Sequence, residues 1–120
     1  MSQKEFIEGI TGLGYTPQFS SENNRVYFEY KVPGGRFSGQ VVQLGFEVPE
    51  QFPLTPPSGP HIAPRLHVIN PSAPQHPDRI HESPFGSDWE YWSRPFPDWV
   101  VTNRTVKEYM RFIRHLWETQ

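Results

Sequence analysis

The sequence predicts one α+β domain over residues 1–120. A helix opens it, an antiparallel meander follows, then a long ordered segment and a closing helix. Three observations carry this. Two runs of alternating hydrophobicity flank a Pro-Gly-Gly turn, a proline-rich stretch is also dense in aromatics, and the last fifteen or so residues have helical periodicity.

Residues 2–13 read as a short helix. Phe6, Ile7 and Ile10 form one stripe, with Lys4, Glu5 and Glu8 turned outward and Gly12 and Gly14 ending it. In 25–32, RVYFEYKV, Val26, Phe28, Tyr30 and Val32 share a face while Tyr27, Glu29 and Lys31 take the other. In 37–48, FSGQVVQLGFEV, Val42, Leu44, Phe46 and Val48 share a face. The turn at 33–35 joins the two runs as an antiparallel hairpin.

Twelve of the 14 prolines fall between 49 and 97, which leaves no room for a long helix or a central strand. The stretch is nonetheless ordered. Phe52, Leu54, Ile62, Leu66, Ile80, Phe85 and several tryptophans interrupt it, and disordered segments lack such residues. One short strand fits at roughly 65–69. Long ordered loops in small domains usually carry function. The closing helix starts at Thr105, whose spacing to Glu108 is that of a capping box, and presents Val106, Tyr109, Met110, Ile113, Leu116 and Trp117 on one side.

Composition excludes several classes. Net charge is −2 with no basic block, so there is no electrostatic footprint for nucleic acid. No apolar run approaches the ~20 residues of a membrane span. The opening MSQKEFIEGI is polar and does not read as a secretory signal, and a cytoplasmic location is expected. The absence of cysteine removes disulfides, zinc–thiolate sites and thiol catalysis. No cofactor is expected.

Three stretches resemble the ubiquitin-conjugating-enzyme superfamily. "FEVPEQFPLTPPSGPHI" is similar to the segment where that family's third strand ends in a Tyr-Pro-Phe-x-Pro-Pro-like turn, here Phe52 to Pro57. "LHVINP" falls where the family has His-Pro-Asn, with Asn70 at the Asn position and the preceding His-Pro absent. "YWSRPFPDWVVTNRTVKEYMRFI" looks like the Trp-Ser-Pro segment that leads into the next helix, anchored on Trp92 and Ser93. The likeness spans nearly the whole chain, and its overall look is closer to the compact prokaryotic members grouped as prokaryotic family E than to the eukaryotic proteins. It implies a UBC-like fold with a meander of about four strands. The partners it implies are a ubiquitin-like protein and its activating enzyme.

In that family the nucleophilic cysteine lies about eight or nine residues before the Trp-Ser pair, and that count back from Trp92 reaches Ser83 or Pro84. Ser83, in "IHESPF", is therefore the positional equivalent: a hydroxyl stands where the family has a thiol. Thiols attack carbonyls with little help, whereas a hydroxyl needs a positioned base. His81 is the candidate base, with His76, Asp78 and Glu82 as others, and the resemblance makes Asn70 a donor to the developing oxyanion. Such a chain would accept a ubiquitin-like protein from its activating enzyme as an oxyester on Ser83 and pass it to an amine. The alternative is a non-catalytic binding module that scaffolds the ubiquitin-like protein or the activating enzyme. Each residue also has a plainer reading. Ser-Pro and Asn-Pro are turn signals, His81 serves as a structural hydrogen-bonding histidine, and the tryptophans are core. His76, Asp78, His81 and Glu82 also have the residue types of a metal set, but they sit at loop spacing with no second paired motif.

Overall fold

The computed structural model describes residues 2–20, 24–66 and 80–118. The order is α1 (Ser2–Gly12), β1 (Gln18–Ser20), β2 (Arg25–Lys31), β3 (Val41–Glu47), β4 (His61–Ala63), β5 (Ile80–Glu82), β6 (Glu90–Trp92), a 3-10 turn (Pro97–Val101) and α2 (Val106–Glu118). All strands belong to one antiparallel sheet of order β1-β2-β3-β4-β6-β5. The first four form the meander. The expectation of about four strands is corrected to six among the described residues, because the aromatic segment contributes its own short hairpin, β5–β6, which docks beside β4. The described strand after β3 lies at His61–Ala63, ahead of the position expected at 65–69; residues 67–69 are outside the described residues.

The local reasons are legible. Helix α1 ends in paired hydrogen bonds, Tyr15 N–H to the Ile10 carbonyl (3.3 Å) and Gly14 N–H to the Thr11 carbonyl (3.0 Å). Gly14 supplies the left-handed φ of 98° that this closure requires. Helix α2 is capped by Thr105, whose Oγ1 accepts the Glu108 N–H at 3.2 Å. Gly9 lets α1 approach α2 closely, since a Cβ there would collide with Val106.

The period-2 patterns decide the sheet's faces. Val26, Phe28 and Tyr30 on β2 and Val42, Leu44 and Phe46 on β3 are buried under the helices. Aromatic rings fill that core. Phe6 meets Phe46 and Phe52 with centroids 5.4 Å away in each case, and Trp92 lies 4.7 Å from Trp117 of α2. Trp99 reaches Phe52 and Tyr109 and donates its indole N–H to the Pro53 carbonyl at 2.7 Å. Trp92 and Trp99 are 0% and 1% exposed, so the core reading of both holds.

Candidate functional site

Among the described residues no helix packs on the other face of the sheet, and the candidate site lies on it. The strand register aligns one residue from each of five strands in a lateral row: Tyr27, Gly45, His61, Tyr91 and His81. Residues directly opposite across neighbouring strands share a face, so these positions form a single line across the sheet, with Gly45 leaving a gap in the row of side chains. The segment after β5 folds over this row. Phe85 lies 4.6 Å from the His61 ring, and Trp89 packs on Phe85 at 4.8 Å and edge-on to Tyr27 at 5.9 Å. Gly45 makes this possible, because a Cβ there would lie 2.7 Å from Phe85 Cε2.

His61 is the centre. It is 1% exposed, stacked between Tyr91 (4.5 Å) and Phe85. Its Nδ1 is 2.8 Å from Ser83 Oγ. Its Nε2 faces Glu47 Oε1 at 3.8 Å, and Glu47 also lies 3.6 Å from Arg25. An N–H at Nε2 directed toward a carboxylate is the tautomer that electrostatics favour. It leaves Nδ1 bare to accept the Ser83 hydroxyl. The same Ser83 oxygen accepts the Phe85 N–H at 3.1 Å, a hydroxyl-closed turn. Burial, helped by the charge of Arg25, pushes the His61 pKa down to about 3, so the ring is neutral at physiological pH.

The turn that presents Ser83 is held from both sides. Arg65 donates Nε–H to the Ser87 carbonyl at 2.7 Å and pairs with Glu82. On the helix side, Glu90 is fully buried. One carboxylate oxygen accepts the Leu66 N–H at 2.8 Å and the other the Trp92 indole N–H at 2.6 Å, tying residue 66 to β6. Tyr91 Oη donates to Ser58 Oγ at 2.8 Å, which fixes the ring against His61.

The structure separates the sequence candidates. Ser83 is half-buried, in the turn after β5. Among the described residues the imidazole that reaches it is His61 rather than His81. His81 is exposed on β5, with its ring 6.0 Å from Tyr91, which stands between the two histidines in the lateral row. Asn70, His76 and Asp78 lie outside the described residues. Among the described residues no three His, Asp or Glu side chains converge as a metal set. His61 is not among the residues that the sequence motifs single out, because it falls after the Phe52–Pro57 turn and outside any motif with a chemical spacing. Its one signal was position, as the polar residue opening the short apolar run before Pro64.

Chemically, the pair holds a hydroxyl against a neutral ring nitrogen with a carboxylate behind the ring. That is the connectivity of a serine–histidine–acid set with the imidazole nitrogens exchanged and the acid beyond hydrogen-bond length. Comparison with protein-family models, curated proteins and solved structures finds no match.

Proposed function

We propose that this chain is a ubiquitin-conjugating-enzyme-like binding module. It would engage a ubiquitin-like protein or its activating enzyme without itself carrying the acyl group. The order of helix, meander, aromatic-rich segment and helix supports the resemblance on which this rests. The observation that carries the non-catalytic part is the state of the Ser83 hydroxyl. Its oxygen accepts the Phe85 N–H, its hydrogen is engaged by His61, and His61 is buried with a pKa lowered to about 3. A general base works best when its pKa lies near the working pH, and this imidazole would hold a transferred proton weakly.

The 2.8 Å contact of Ser83 with His61 favours a second reading, slow acyl acceptance. Ser83 Oγ would attack the thioester carbonyl of the ubiquitin-like C-terminus on the activating enzyme. The O–acyl bond forms, the C–S bond breaks, the hydroxyl proton passes to His61 Nδ1 and the thiolate leaves. Incubation with a ubiquitin-like protein, its activating enzyme and ATP separates the two. Co-elution without a hydroxide-labile adduct is expected. An adduct that disappears in Ser83→Ala would establish acyl acceptance instead, and neither binding nor adduct would remove both.

A further inference from the structure

A cleft of about 390 Å³ lies on the helix face of the sheet, away from Ser83, where the end of α1, the end of β2 and the first turns of α2 meet. Its walls divide by chemistry. Leu13, Pro33 and Met110 are apolar, Tyr15 and Tyr30 offer rings and hydroxyls, and Lys31, Lys107, Arg111 and Arg114 supply four cationic groups. No carboxylate lines it among the described residues, although the chain as a whole is net negative at −2. Glu108 lies 3.8 Å from Arg111. Lys31, Lys107 and Arg114 have no carboxylate partner among the described residues. Glu5 and Glu8 border the adjoining cleft, which shares Leu13 and Lys107 with this one.

The tyrosines sharpen the picture. Their rings lie 5.9 Å apart, tilted at 36°. Burial raises both phenol pKa values, so both keep their hydrogens and can donate. Arg114 lines the same cleft as both phenols and acts on their pKa values in the opposite sense. Guanidinium matches phosphate oxygens two at a time, and lysine adds charge without that geometry. The cleft's size falls at the lower end of small-molecule sites, roughly 300–1,000 Å³.

We propose that this cleft binds a small phosphorylated organic molecule. Arg111, Arg114 and Lys31 hold its phosphate, and Tyr15, Tyr30 and Met110 contact its apolar body. The site is independent of Ser83 and does not rest on the binding-module reading. The cationic groups that line the cleft can donate to the anion, while the tyrosine rings and the apolar wall favour a ligand that is more than a bare ion.

The test is an amide NMR titration of the full chain with phenyl phosphate, inorganic phosphate and benzyl alcohol. Phenyl phosphate is expected to saturate shifts around residues 13–15, 30–33 and 107–114. Inorganic phosphate should bind at least about tenfold more weakly and benzyl alcohol not at all. Arg114→Gln and Lys31→Gln, both at exposed positions on different elements, should each weaken phenyl phosphate by about tenfold, the range of a lost charged hydrogen bond. Arg36→Gln, a cation outside the cleft, should leave it unchanged. The proposal is overturned by absence of saturation in the millimolar range, by equal affinity for phenyl and inorganic phosphate, or by an Arg36→Gln loss equal to that of Arg114→Gln.

Discussion

Ser83 Oγ and His61 Nδ1 meet at 2.8 Å although 22 residues separate them in sequence. The contact exists because β4 and the β5–β6 hairpin are brought side by side, with His61 opposite Tyr91. The chain after β5 then turns back over the same face of the sheet. What this pair does follows from its burial as much as from its distance.

The first prediction concerns acid. The His61 pKa falls from 6.5 to about 3 on folding. Below pH 6.5 the unfolded chain takes up a proton that the folded chain refuses, so stability is full above 6.5 and declines as pH falls toward 3. The slope approaches about 1.4 kcal/mol per pH unit from this group. His61→Gln keeps a polar side chain but cannot titrate. Urea melts at several pH values between 7.5 and 4 should show a shallower acid decline for the variant than for the parent, and parallel curves would contradict the buried neutral ring.

Gly45→Ala should damage the site more than the core. Its Cβ would sit 2.7 Å from Phe85 and 3.1 Å from Trp89, so the lid over His61 must shift. A cost of about 1–3 kcal/mol is expected from such overpacking. Trp89 emission should change with it, and an unchanged spectrum and melt would show that the lid yields freely.

Glu90→Gln removes an acceptor from a fully buried site. The amide can accept from either the Trp92 indole or the Leu66 N–H, but its NH₂ then confronts the other donor. About 1–3 kcal/mol of destabilisation is expected in chemical denaturation. Amide exchange at Leu66 should accelerate, which a uniform loss of stability at neighbouring amides would not explain.

Trp99→Ala should cost about 3–5 kcal/mol, the range for deleting a large buried ring. The indole packs on Phe52, Phe96 and Tyr109 and its N–H is bonded to Pro53. A thermal midpoint equal to the parent's would refute its role in holding the proline-rich segment against α2.

Thr105→Ala tests a smaller effect. Loss of the bond to the Glu108 N–H should destabilise α2 by about 1 kcal/mol, read as a modest drop in the denaturation midpoint.

The sequence by itself determined the elements whose signals are local. The alternation in β2 and β3, the glycine stop of α1 and the Thr105 cap are each written within a few residues, because side-chain direction and backbone freedom repeat with a fixed period. The expected turn at 33–35 is instead a longer connection, with β3 starting at Val41 and hydrogen-bonded turns from Gly35 to Ser38 and from Phe37 to Gln40. The burial of Trp92 and Trp99 was legible for a different reason: rings that large in a proline-rich segment have to be placed against something apolar. The number of strands and the partner of Ser83 were decided by tertiary structure alone. β4, β5 and β6 are three residues each, too short to show a period. His81 lies two residues from Ser83 in sequence, yet the described side-chain partner of Ser83 is His61. Strand pairing sets lateral neighbours by register, and that register is a long-range choice no local spacing encodes.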